Sequence, residues 1–250
     1  MTIAVTAPLQ GKTLDVMPLS QDTFHAFGTV IENPAPSLIP AAGLAELPPN
    51  AVEANQGTAL KYLNVTHMLD LYASAQSRTP SKAVMNMFVC APRHLQPGRS
   101  ASHEGLFPVE ILERHPFTTQ TFVPLGLSAK EQDQARYLVI VAPSLPPTGD
   151  DDELPVPSGN NLPGRGLPDL DRMRAFVAKG SQAVTYGAGT WHAPMVAIGS
   201  RPIDFVVIQF ANGVGMEDCQ EAAIERGPDG SAIVAAVPTP MVALQRASKL

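Results

Sequence analysis

The stretch Ile111-Leu-Glu-Arg-His-Pro-Phe-Thr-Thr-Gln-Thr-Phe-Val-Pro-Leu-Gly126 combines a strand pattern with ligand-type side chains at fixed spacing. Branched and aromatic residues recur along it and turn residues bound it, the pattern of a short sheet strand. Glu113 and His115 are two apart, so both point to one face of an extended strand, while Arg114 between them points to the other. Gln120 follows five residues after His115, and Gly126 closes the segment before a turn. A second piece, Tyr186-Gly-Ala-Gly-Thr-Trp-His192, sets another histidine after a glycine-rich bend. The two segments are expected to line one pocket.

Working outward, similar short runs appear at Val84-Met-Asn-Met-Phe-Val-Cys90, Phe107-Pro-Val-Glu-Ile-Leu112, Tyr137-Leu-Val-Ile-Val141, Gln182-Ala-Val-Thr-Tyr186 and Ile203-Asp-Phe-Val-Val-Ile-Gln-Phe210. Strands of this kind close on themselves as sandwiches or barrels, which predicts an all-β fold with a few short peripheral helices. Helices are expected after Ser20, over residues 168–176 and over residues 216–225. Residues 143–168 hold seven prolines and four glycines, too many for a core element, and read as a solvated loop. Strands resume beyond that loop, so it interrupts one assembly: the chain reads as a single domain over residues 1–250, with the Pro-rich insertion and an irregular tail at 226–250.

A formal net charge of −6 gives no basic footprint, which argues against nucleic acid and for a small-molecule partner. Two cysteines, Cys90 and Cys219, cannot make a disulfide framework and suit a reducing compartment. No apolar run approaches the roughly 20 residues that cross a bilayer, so no membrane partner is expected. The C-terminal Ser248-Lys249-Leu250, with Arg246 upstream, matches the address read by the peroxisomal import receptor; the expected location is peroxisomal, and cytoplasmic otherwise.

The spacing of Glu113, His115, Gln120 and Gly126, then Gly189 and His192, resembles the two motifs of metal-binding cupins, with glutamate in place of the first histidine and glutamine in place of the usual glutamate. Imidazole nitrogen and carboxylate oxygen suit a first-row divalent cation, so nickel, manganese or zinc fits this set; the same residues can also act directly as acids, bases and hydrogen-bond donors. No organic cofactor is expected. Four blocks narrow the resemblance further. Met17-Pro-Leu-Ser-Gln-Asp-Thr-Phe-His-Ala-Phe-Gly-Thr-Val-Ile-Glu32, Leu112-Glu-Arg-His-Pro-Phe-Thr-Thr-Gln-Thr-Phe-Val-Pro124, Met173-Arg-Ala-Phe-Val177 and Tyr186 through Pro194 resemble the ureidoglycolate lyase family, long also called ureidoglycolate hydrolase.

That resemblance implies a cupin-like β-barrel (double-stranded β-helix), commonly a homodimer, that splits (S)-ureidoglycolate into glyoxylate and urea in allantoin and purine breakdown. It implies Glu113, His115, Gln120 and His192 as a metal or polar centre, with His192 the first choice for proton transfer and Glu113 and His115 catalytic beside it. Lys61 resembles a basic family position that holds the substrate carboxylate; Asn55 is a candidate donor to the ureido carbonyl, and Trp191 a candidate pocket wall. Two rival readings remain open: a hydrolase that releases ammonia instead of urea, and a cupin-like ligand-binding protein without chemistry.

Overall fold

The computed structural model describes residues 2–44, 46–98, 100–151, 153–158 and 164–240. Seventeen strands run through them. The first five are β1 Thr2–Thr6, β2 Lys12–Pro18, β3 Gly28–Ile31, β4 Ala51–Ala54 and β5 Ala59–Tyr62. Next come β6 Lys82–Cys90, β7 His103–Pro108, β8 Ile111–Arg114, β9 Gln120–Leu125, β10 Arg136–Ala142 and β11 Arg174–Lys179. The remainder are β12 Ala183–Tyr186, β13 Trp191–His192, β14 Val196–Ile198, β15 Ile203–Ala211, β16 Gln220–Glu225 and β17 Ile233–Pro238. Three α-helices, α1 Gln21–Phe24, α2 Ala129–Gln134 and α3 Gly215–Asp218, are one or two turns long. None of them is long and apolar enough to cross a membrane.

The larger sheet runs β1-β16-β8-β13-β10-β11-β2-β17-β7, with β14 also on β10; the smaller runs β3-β12-β9-β15-β6. The larger sheet curls into a half-barrel, giving the all-β, cupin-like architecture. Strand β10 shows why the layers hold. Leu138, Ile140 and Ala142 join one core cluster with Trp191, Leu112 and Ile233; Tyr137, Val139 and Val141 join a second with Phe176, Val184 and Phe205. Both faces of β10 are therefore dry, which explains its unbroken apolar run, and each large side chain so buried contributes about 1.5–3 kcal/mol.

Three predicted elements are replaced by strands. Of residues 216–225 only the single turn α3 is helical, and Gln220–Glu225 forms β16, parallel to β1 and antiparallel to β8. Residues 168–176 give a short 3-10 turn, Leu170–Arg172, and then β11, where Ala175, Phe176 and Ala178 are buried. The expected tail contains β17, whose Ile233, Ala235 and Val237 are buried between β2 and β7. Local helix propensity and the Pro- and Ala-rich composition of the tail are weak preferences, and pairing with distant strands overrides them in each place. Residues 241–250, with Ser248-Lys249-Leu250, lie outside the described residues.

Candidate active site

Strand pairing assembles the site across three neighbours. His192 of β13 stands opposite Glu113 of β8, and Glu113 stands opposite Glu221 of β16. His115 comes from the residues just beyond β8, and Gln120 opens β9 in the facing sheet, level with Tyr186 of β12. The bend before His192 is tied to the other histidine: Gly189 takes φ +73°, a conformation that favours glycine, and its N–H donates to the His115 carbonyl at 2.8 Å. A side-chain methyl at Gly189 would strain the turn that docks β13 against β8.

Glu113, His115 and His192 offer ligand atoms that all lie within 4.8 Å of one another. The His115 Nδ1–H donates to the Asp218 carbonyl at 2.6 Å, which leaves Nε2 with its lone pair. That Nε2 is buried and has no hydrogen-bond partner among the described residues. Burial, followed by the neighbouring His192, pushes the His115 imidazole down to about 4, so the ring is neutral at physiological pH. Burial works to raise the Glu113 carboxyl, but its hydrogen bond and charge interaction with His192, and the nearness of His115, hold it below the usual carboxylate range.

His192 Nδ1 faces the Thr190 carbonyl at 2.9 Å; its Nε2 lies 3.2 Å from Gln120 Oε1 and 3.6 Å from Glu113 Oε1. A ring protonated on both nitrogens donates to all of these acceptors. A ring that has given up the Nε2 proton presents a lone pair toward Glu113. Gln120 is itself held, its amide N–H donating to Gln209 Oε1 at 2.7 Å. Tyr186 lies flat against His192, with ring centroids 3.9 Å apart and an interplanar angle of 13°.

These residues fit a divalent cation. Two imidazoles, each with Nδ1 at a backbone carbonyl, present Nε2 beside an ionised carboxylate, the two-histidine, one-carboxylate set of first-row metals, with outer partners that fix ring orientation. Glu113 also lies near Cys219 and Glu221. Without an ion, burial and the charges of Glu113, Glu221 and Asp218 push the Cys219 thiol up to about 12.

The four centre residues named from the sequence, Glu113, His115, Gln120 and His192, are thus brought together. The other three lie elsewhere. Trp191 alternates with His192 and faces the opposite core, where it donates to the Gly166 carbonyl at 3.1 Å and stacks under Arg114, whose guanidinium carbon is 4.5 Å from the ring centroid. It is a wall of the core cluster built on Leu138, Ile140 and Leu112 and not of this site. Lys61 and Asn55 are exposed on the separate hairpin β4–β5, and no hydrogen bond or ion pair joins either side chain to the centre among the described residues. A groove of about 1410 Å³ includes residues 187–190, Lys12, Asp15 and Arg172 but none of the four centre residues; chemistry and hydrogen bonding, not cavity size, locate the site. Sequence reading missed Tyr186 and the backbone carbonyls of Asp218 and Thr190; the tyrosine was legible only as a polar-tipped aromatic at the end of a strand.

Known proteins resemble this chain over most of its length. Residues 11–229 match the model of a family described as ureidoglycolate lyase. A ureidoglycolate lyase of Schizosaccharomyces pombe is 35% identical over 217 residues, covering 87% of this chain and 94% of the relative. Those of Saccharomyces cerevisiae and Burkholderia mallei are 34% and 30% identical over 198 and 197 residues, covering 76% and 79% of this chain and 82% of each relative.

Proposed function

The chain belongs to the ureidoglycolate lyase family, and from that premise we propose that it cleaves (S)-ureidoglycolate to glyoxylate and urea. The observation that carries this reading is His192, set between the Glu113 carboxylate and the Gln120 amide oxygen and stacked on Tyr186. The reaction needs a base for the proton on the C2 hydroxyl and an acid for the departing urea nitrogen as the carbon-nitrogen bond breaks and the carbonyl forms. His192 Nε2 takes the hydroxyl proton and returns it to that nitrogen. Glu113 stabilises the imidazolium in between, and Gln120, braced by Gln209, orients the ring.

Glu113 and His115 would hold a divalent cation, with Gln120 beside them, which leaves the His192 Nε2 lone pair free for the proton. Such an ion, when bound, supplies Lewis-acid polarisation of the substrate carboxylate and hydroxyl oxygens. Nickel, manganese and zinc all suit the donor set, and elemental analysis of the purified protein identifies which is carried. The neutral, outward-bonded His115 supports this role.

The test of the lyase reading is incubation with (S)-ureidoglycolate, quantifying both products. Equimolar urea and glyoxylate are expected; ammonia without urea would establish the hydrolase instead.

The protein is further proposed to act as a homodimer. The edge strand β6 exposes Met85, Met87, Phe88 and Val89, an apolar rim of the kind that pairs with a second copy. Light scattering on the purified protein should give twice the monomer mass, and a monomer mass would refute pairing. Import into peroxisomes through Ser248-Lys249-Leu250 is proposed on the motif alone. Deleting Leu250 should move a tagged protein to the cytosol, and an unchanged distribution would refute it.

A further inference from the structure

Buried polar atoms in folded proteins are nearly always hydrogen-bonded, and an exception calls for a reason. Among the described residues two buried side-chain atoms lack any partner, His115 Nε2 and the Tyr186 hydroxyl. They belong to one place. The His115 and Tyr186 rings both neighbour His192, with centroids 5.7 Å and 3.9 Å from it. The position of Tyr186 opposite Gln120 in the β12–β9 register puts it on the stretch of sheet that carries the Gln120 contact to His192. The orphan nitrogen has an occupant in the proposed cation; the orphan hydroxyl has none in the chemistry assigned so far.

Resting on the lyase reading, we propose that the Tyr186 hydroxyl is a substrate-contacting donor that hydrogen-bonds the ureido carbonyl oxygen of (S)-ureidoglycolate. As the carbon-nitrogen bond breaks, its electron pair spreads from the leaving nitrogen onto that oxygen. A fixed donor there therefore stabilises the transition state more than the ground state. An ordinary tyrosine hydroxyl is un-ionised at neutral pH, so the group stays a donor while His192 carries the transferred proton. Phe24 and Phe122 meet the Tyr186 ring edge-on, and stacking on His192 fixes the third side, so the ring is immobilised before substrate arrives.

Tyr186→Phe deletes one oxygen that makes no hydrogen bond among the described residues, so the test separates contact from fold. The thermal midpoint should stay the same or rise, because an unsatisfied buried hydroxyl is removed. At the same time kcat/KM for (S)-ureidoglycolate should fall about tenfold to a hundredfold, chiefly in kcat. Oxalurate keeps the ureido group but has a carbonyl in place of the C2 hydroxyl, so it binds without eliminating urea. Its calorimetric affinity should drop about tenfold in the variant, the loss of one good hydrogen bond to ligand. Equal oxalurate affinities, or equal kcat/KM for the two proteins, would overturn the Tyr186 assignment. Absence of urea release by the unmodified protein would overturn the lyase reading, and the oxalurate comparison would still decide the Tyr186 contact.

Discussion

Strands β8 and β13 carry charge and polarity in opposite ways on their two faces. On one face Arg114, fully buried, donates from Nε to Gln220 Oε1 at 2.8 Å, from Nη1 to the carbonyls of Gly164 and Gly166, and from Nη2 to that of Arg165, while stacking on Trp191. Burial lowers the guanidinium to about 10, still charged at neutral pH, and every group around it is matched to it. One residue along each strand, the other face presents His115 with an open nitrogen, His192 between two acceptors and Glu113 held ionised. Satisfied polarity holds the Pro-rich loop in place; polarity left unsatisfied is kept for a ligand.

The sharpest break of this comparison is chemical. His192→Ala and Glu113→Gln should each lower kcat/KM per folded molecule by about 10²- to 10⁴-fold, as read by urea release, and Glu113→Gln should keep a thermal midpoint close to that of the parent. Chelation followed by gel filtration should abolish turnover in parallel, and titrating back a first-row divalent ion should restore it. If activity survives full removal of metal, Glu113, His115 and His192 act as acids and bases alone.

The opposite face should answer in stability. Arg114→Met strands several loop carbonyls and the Gln220 side chain, and should cost about 3–5 kcal/mol in urea unfolding. Activity per folded molecule should fall far less than in His192→Ala. An Arg114→Met protein of parental stability would remove the distinction between the faces.

A third measurement follows His115 itself in chelated protein. An unfolded histidine takes a proton below about 6.5, whereas folded His115 does so only near 4. Between these values the unfolded state binds more protons, so stability is complete above the higher value and is lost as pH falls toward the lower. The loss should approach roughly 3 kcal/mol, and His115→Leu should flatten it. The smallest effect is expected on the exposed hairpin, where Lys61→Ala should change kcat/KM by less than about twofold.

Strand alternation made much of the centre legible. Glu113 and His115 two apart, Arg114 pointing away and His192 after a glycine bend all follow from period-two geometry, and the strands do place them so. Trp191 was misplaced although the same rule, applied to its neighbour His192, turns it to the other core. The partners that set the chemistry were not legible. The Asp218 and Thr190 carbonyls carry no sequence signature, and β16 and β17 hide in Ala-rich segments that acquire strand character only by pairing with β1, β8, β2 and β7.

The pairing of β1 with β16 spans nearly the whole chain: the Thr2 hydroxyl donates to Glu221, 219 residues away. Contact order of this kind slows folding, because the loop must close before any of its contacts form. During synthesis β8 exists long before its neighbour β16 has been made, and His115 waits equally for the Asp218 carbonyl that sets its tautomer. The proposed active centre is therefore completed late, and in refolding, strand content should return before the capacity to turn over substrate.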